Sequence, residues 1–304
     1  MNAIPFTKMV GTGNDFIIVD TVAHRSLVSL KTRWSSISKM LCDRHTGIGA
    51  DGVLVLERSP RADVRMRIFN ADGSEAEMCG NGARCVAKYI ANGTQDSRLK
   101  TQDRRPETGD RTATIETKAG MLSATVAHGQ VAMRMTAPTH LRTNGVVRVD
   151  GRAYAFGSVN TGVPHVVIPV TQLARVNVET IGQSIRSHRM FAPRGTNVNF
   201  IQPDATRANR LRVRTYERGV EAETLACGTG IVASAIIYGL MKMKAVQRAR
   251  TQQIDVEARS GDVLRVSFAV VPHGQEVRVT DVILTGGARR VFDGAVEWPP
   301  RDRR

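Results

Sequence analysis

Cys79 and Cys227 stand in the same unusual setting. Cys79 is followed by Gly80-Asn81-Gly82 and Cys227 by Gly228-Thr229-Gly230, and a helix-forming run comes next in both places. A thiol at the head of a helix meets backbone N–H groups that have no partner in the helix, and about half a unit of positive charge. That setting favours thiolate over thiol. The glycines let backbone approach a bound carboxylate closely, as at other helix-terminal anion sites. Two such thiols suit one reaction type above others: one removes a proton from one face of a carbon acid, and the other returns a proton to the opposite face. That is racemisation or epimerisation. The carbon next to a carboxylate is a poor acid, and two helix N-termini aimed at that carboxylate would stabilise the developing charge without a cofactor. Cys42 and Cys85 lie within helical patterns and are expected to be structural. No His cluster completes a metal site, so none is expected.

The matched cysteines belong to a longer internal repeat. Thr12-Gly13-Asn14 resembles Thr161-Gly162-Val163, and Gly47-Ile48-Gly49 falls opposite Gly195-Thr196-Asn197, at nearly the offset that relates the cysteines. Three matches at about half the chain length imply duplication. Each half repeats strand, polar turn, cysteine, helix. Val64–Phe69 alternates as a half-buried strand, Asn70–Glu77 is the turn, and Ala83, Val86, Ala87 and Ile90 mark the helix that Gly93 ends. In the second half Leu211–Thr215 is the strand and Glu217–Ala226 the turn. A helix from about Thr229 to Met243 is apolar on nearly every face and should be buried centrally. Leu30, Trp34, Ile37 and Leu41 form one more helical face, and Val178, Ile181 and Ile185 another. Val131-Met133-Met135, Val263–Val271 and Val277-Val279 read as strands, and residues 92–113 as a loop. The expected fold is α/β (α+β): two pseudo-symmetric domains, each a mixed sheet or barrel wrapped around a central helix. Their seam lies near Pro138, with the active site in the cleft between them.

Composition narrows the function classes. The 304 residues suit two domains, and 41% hydrophobic with 23% charged residues is ordinary for a globular protein. The net charge of +15 raises nucleic-acid binding, but many basic residues cluster in a polar stretch (Arg98, Lys100, Arg104, Arg105, Arg111) and at Arg301, Arg303 and Arg304. Only 5% of residues are aromatic, too few for a base-stacking platform. A solvated basic surface, suited to anionic metabolites, is the expectation, with no nucleic-acid partner. The longest apolar stretch, Ile231–Met241, is too short to cross a bilayer, and the N-terminus lacks a signal-peptide core. A cytoplasmic protein with no membrane partner is expected. Four cysteines are too few for a disulfide scaffold.

Several segments closely resemble the diaminopimelate epimerase family: Gly13-Asn14-Asp15-Phe16, Arg44–Gly52, Phe69–Glu75, Met78–Cys85, Pro164-His165, Gly195–Phe200, Tyr216–Gly219, Thr224–Gly230 and Val291–Gly294. The resemblance implies an isomerase that interconverts LL- and meso-2,6-diaminoheptanedioate without pyridoxal phosphate or another cofactor, on the route to lysine and peptidoglycan. It also implies a homodimer, and a C-terminal strand that returns to the first domain, giving domains 1–137 with 287–304 and 138–286. By resemblance Cys79 and Cys227 are the base and acid, and Gly80-Asn81 and Gly228-Thr229 hold the reacting carboxylate. Arg218 fits the distal carboxylate and Glu217 the distal ammonium. Asn14, Asn70 and Asn197 would supply neutral hydrogen bonds, and His165 stands beside the reacting centre. Gly52 stands where many members have Gln, and Val163 where many have Asn, both in the distal pocket. Asn160 is a candidate substitute, and Glu221 reads as a solvated turn residue. The alternatives are another cofactor-independent racemase of the same fold, of proline or histidine type, or an isomerase that uses a carboxylate in place of thiols. A basic nucleic-acid-binding protein or a redox switch explains the charge or the thiols, but not their duplicated placement.

Overall fold

Two consecutive left-handed residues, Thr12 (φ 52°) and Gly13 (φ 79°), fold the start of the chain back on itself in the tight turn that matches strand twist. They join β1 (Ile4–Gly11) antiparallel to β2 (Asn14–Asp20). The computed structural model describes residues 3–93, 110–243, 247–274 and 276–298. The chain divides into two compact units, Met1–Met133 with Gly286–Arg304, and Arg134–Thr285.

In the first unit β2 pairs parallel with β3 (Gly52–Glu57), so the chain must cross over between them, and helix α1 (Trp34–Cys42) makes the crossing. Trp34, Ile37 and Leu41 of α1 pack on Ile17, Val19, Val53, Val55 and Phe69. Leu30, expected on the same helical face, sits in a separate 3₁₀ turn, Arg25–Leu30, and joins the cluster from there. Strand β4 (Val64–Asn70) runs antiparallel to β3, and the short β5 (Glu75–Ala76) folds back on β4. Helix α2 (Gly80–Ala91) follows, and Gly93 (φ 78°) closes it. Then β6 (Arg111–Thr117) pairs parallel with β4 and antiparallel with β7 (Gly120–Ala127). The expected loop 92–113 lies for the most part outside the described residues, and its end, Arg111–Ala113, is the start of β6. Arg98, Lys100, Arg104, Arg105 and the basic C-terminus are also outside them.

After β8 (Gln130–Arg134) the second unit repeats the scheme. Strands β9 (Thr139–Val149) and β10 (Arg152–Asn160) form a hairpin, and β10 runs antiparallel to β11 (Pro164–Pro169). Helix α3 (Val178–Arg186) carries the chain across to β12 (Asn197–Pro203), parallel to β11. Strands β13 (Arg210–Glu217) and β14 (Ala222–Thr224) precede helix α4 (Gly228–Met241). Then β15 (Arg250–Glu257) pairs parallel with β13, and β16 (Val263–His273) and β17 (Glu276–Gly287) continue antiparallel. The last strand, β18 (Arg289–Val296), lies antiparallel to β1 in the first unit.

This is the mixed, strand-rich α+β class expected. Strands of each unit surround its buried helix: β1, β2, β4, β6 and β7 touch α2, and β9 to β13, β15 and β16 touch α4. Every residue from Gly230 to Leu240 is buried, which is why the α4 sequence has no polar face. Each fully buried Ile, Val or Leu there contributes about 1.5–3 kcal/mol by leaving water. Matching ion pairs, Arg67–Glu75 at 2.7 Å and Arg214–Glu223 at 2.7 Å, brace the turn that leads to each cysteine. No helix among the described residues is long and apolar enough to cross a membrane.

Pairing register corrects one detail of the repeat. Phe16 lies opposite Gly52, and His165 opposite Asn197, so Gly52 rather than Gly49 is the counterpart of Asn197. Loops of different length between the strands shift the offset.

Close contact between α4 and the sheet depends on Gly157 of β10, where an added Cβ would lie 2.4 Å from Cγ2 of buried Ile237. Gly157→Ala should therefore destabilise the protein by about 1–3 kcal/mol. Gly287→Ala, with nothing within 4 Å of the added atom, should leave urea unfolding nearly unchanged. Equal midpoints for the two variants would contradict this packing.

Candidate active site

The chain arrives extended at each central helix, so a cysteine rather than a helical residue caps it. Cys79 (φ −142°, ψ 116°) caps α2, and its Sγ accepts from the Gly82 N–H at 3.4 Å. Cys227 (φ −115°, ψ 110°) caps α4, with its Sγ 3.4 Å from the Thr229 hydroxyl. Neither is in a disulfide. A Cβ built on Gly80 would meet nothing within 4 Å, so the first turn of α2 opens onto space. The next glycine in each segment admits a close neighbour instead. A Cβ on Gly82 would lie 3.0 Å from a Leu54 methyl, and one on Gly230 2.4 Å from Asn199 Oδ1. By contrast, burial pushes the Cys42 thiol up to about 11 and the Cys85 thiol up to about 12. Those two stay protonated and inert, as expected of structural cysteines.

In the first unit, buried Asn81 donates from Nδ2 to Asn14 Oδ1, and its own Oδ1 accepts from Arg84 Nη2 at 2.7 Å. Asn14 donates in turn to Asp51 Oδ2 at 2.9 Å. Asn70, exposed at the end of β4, donates its amide to Ser74 Oγ at 2.9 Å. A side-chain amide carries two hydrogens, so Asn14 and Asn70 each spend one inside the protein.

In the second unit the neighbouring strands β11, β12 and β13 bring His165, Asn197 and Glu217 together. Asn197 Nδ2 donates to the Pro164 carbonyl at 3.1 Å, and its Oδ1 accepts the Arg218 backbone N–H at 2.8 Å. The Arg218 guanidinium donates to the Arg194 carbonyl at 3.1 Å. Among the described residues no carboxylate lies within ion-pair distance of it, and its charge acts on Glu221 through space. Burial raises the Glu217 carboxyl above its ordinary value, against the opposing effect of the Thr224 and Cys227 side chains beside it. Glu217, expected to face the distal ammonium, instead lies beside the Cys227 thiol. Thr229 is held by the Thr161 hydroxyl, which donates to its carbonyl at 3.0 Å. Asn160 caps its own turn by accepting the Gly162 N–H at 2.9 Å, and Glu221 pairs with Arg186 at 2.7 Å.

His165 is buried, and its tautomer follows from its neighbours. Asn199 Oδ1 accepts from the Thr215 hydroxyl at 3.0 Å, and Asn199 Nδ2 donates to the Val166 carbonyl at 2.9 Å. The amide therefore turns its NH₂ to His165 Nδ1, 3.2 Å away, and Nδ1 must accept. The proton sits on Nε2, which has no partner among the described residues. Burial, with the Arg218 charge adding to it, holds the imidazole down at about 3. His165 is a neutral donor. Sequence reading missed Asn199, although strand alternation places it on the same face as Asn197, and it missed Asp51.

A base with a depressed folded pKa is protonated first in the unfolded chain, so the native state loses stability as pH falls below about 6.5. Raised Glu217 acts with the opposite sign, costing stability as pH climbs above 4.5. His165→Gln isolates the histidine. Between pH of about 7 and about 5 the wild type should lose about 2 kcal/mol more of its unfolding free energy than the variant. Identical pH slopes in urea titrations would show that His165 is not buried as a neutral ring.

The sequence model of the diaminopimelate epimerase family matches residues 6–141 and 157–282 of this chain. A diaminopimelate epimerase from Aquifex aeolicus is 38% identical over 300 residues, covering 95% of this chain and 96% of that protein. One from Hydrogenobaculum sp. is 35% identical over 300 residues, covering 96% and 98%. Among solved structures, a probable proline racemase from Agrobacterium radiobacter shares the fold with a TM-score of 0.66 at 17% identity, over 99% of this chain and 94% of that one.

Proposed function

The chain belongs to the diaminopimelate epimerase family, and from that membership we propose a two-base thiol mechanism for its epimerisation of diaminopimelate. The observation that carries it is the matched capping of both central helices by cysteine. The thiolate of one cysteine takes the α-proton, and the thiol of the other gives a proton to the opposite face. Cys79 and Cys227 exchange these roles with the direction of reaction, LL to meso or meso to LL. Negative charge flows into the α-carboxylate, where the N–H groups of Gly80-Asn81 and Gly228-Thr229 receive it. Glu217 takes the ammonium beside the reacting carbon, and Arg218 pairs with the distal carboxylate. Asn14, Asn70 and Asn197 offer their remaining amide hydrogens. Neutral His165 donates a hydrogen bond without adding charge.

No step in this scheme calls on pyridoxal phosphate or a metal. Two thiols that must stay reduced to act suit a reducing compartment, and the cytoplasm is the reading we adopt. A homodimer follows from the family resemblance.

The test is epimerisation by reduced protein without pyridoxal phosphate. LL-diaminopimelate should yield the meso isomer. Cys79→Ala and Cys227→Ala should each lose at least about 10²–10⁴-fold in rate while keeping the wild-type melting temperature. Lysine lacks the second carboxylate and would leave Arg218 unpaired, so its kcat/KM should be lower by about 10⁴. Substantial turnover in either alanine variant would overturn the two-base assignment. Comparable turnover of lysine or proline would move the reading to a broader racemase.

A further inference from the structure

Asp51 ends the loop between α1 and β3 and has no part in the scheme above. Its Oδ2 accepts from Asn14 Nδ2 at 2.9 Å and from the Asp15 N–H at 3.2 Å. Its Oδ1 accepts from Arg44 Nη2 at 2.8 Å. Asp15 reciprocates, taking the Asp51 N–H at 3.1 Å, Arg44 Nη2 at 2.8 Å and the Lys8 ammonium at 2.8 Å. Lys8 also donates to the Gly49 carbonyl, which ties the loop to β1. Burial raises the Asp15 carboxyl, but hydrogen bonds from Arg44 and Lys8 outweigh it and hold it at about 2. Asp15 therefore stays ionised at neutral pH.

From Asp51 a one-way chain of hydrogen bonds runs to α2. Asn14 donates to the Asp51 carboxylate, Asn81 donates to Asn14, and the Arg84 guanidinium donates to Asn81. With an acceptor-only group at one end and a donor-only group at the other, each amide has a single orientation that satisfies both neighbours. Bonds aligned in this way strengthen one another. Asn81 is the second residue of α2, so pinning its side chain fixes the turn whose N–H groups face the space above Gly80. Among the described residues the second unit has no such carboxylate-to-guanidinium chain. Register and the repeat place Val163 and Thr196 where Asn14 and Asp51 stand, and the Thr229 carbonyl is held by one hydroxyl.

We propose that Asp51 is a positioning residue: its carboxylate orients the Asn14 amide and, through Asn81, the first turn of α2, aiming the N–H groups that receive the reacting carboxylate. This rests on the Proposed function, in which that turn binds the carboxylate.

The test compares full-length Asp51→Ala, Asp51→Asn and Arg44→Met in diaminopimelate epimerisation. Charge grows on the carboxylate only in the transition state, so Asp51→Ala should lower kcat, by about 10²-fold, more than it raises KM. Asp51→Asn keeps an acceptor for Asn14 and should recover most of that loss. Arg44→Met removes the outer clamp and should lower the melting temperature with kcat near wild type. If Asp51→Ala does not fold, Asp51→Ser, too short to reach Asn14, carries the same expectation. Wild-type kcat in Asp51→Ala, or equal kcat losses in all three variants, would overturn the proposal. A wild type inactive on diaminopimelate, or an active Cys79→Ala, would instead overturn the reading beneath it.

Discussion

The first N–H groups of a helix have no partner inside it, and everything else at this site follows from how α2 and α4 meet that constraint. Asp, Asn, Ser or Thr would cap with oxygen and fill the opening. Here sulfur takes the cap position, a weaker acceptor that leaves most of the positive helix end unspent. Glycine after each cysteine keeps side chains out of the way, which is clearest at Gly80. The ion-paired turns Arg67–Glu75 and Arg214–Glu223 deliver the chain to each cap in an extended conformation. In the proposed scheme one arrangement serves both the thiolate and the reacting carboxylate.

The two halves use one scaffold for different tasks. Phe16, Gly52 and Asn70 form a neutral row at the strand ends of the first unit, and His165, Asn197 and Glu217 occupy the matching row of the second. In the first unit, charge is held in ion pairs among Lys8, Asp15, Arg44 and Asp51, away from the thiol. In the second unit Glu217 borders the Cys227 thiol, and the Arg218 guanidinium donates to the Arg194 carbonyl. Duplication preserved the helix heads and let the side chains around them diverge.

Much of this was legible in the sequence. Cys-Gly-x-Gly repeated at half the chain length marks both helix heads without any structure, because capping and glycine tolerance are local rules. The apolar run Ile231–Leu240 announced a buried helix for the same reason. What stayed hidden depends on contacts between distant strands. Asp51 meets Asn14, and Asn199 meets His165, only because parallel register sets them side by side. Glu217 read as a partner for the distal ammonium, but strand β13 and the turn after it set it beside Cys227. Gly49 looked like the counterpart of Asn197 because a fixed offset cannot register loops of unequal length.

The most direct test of two thiols serving two faces follows deuterium at low conversion. LL-diaminopimelate is incubated with reduced enzyme in deuterated water, and product and recovered substrate are analysed by mass spectrometry. If one group removes the proton and another delivers its own, the meso product carries a solvent deuteron at the inverted carbon while recovered LL substrate keeps its hydrogen. Deuterium appearing equally in recovered substrate and product from the first turnovers would mean that a single group serves both faces, and would contradict the pairing of Cys79 with Cys227.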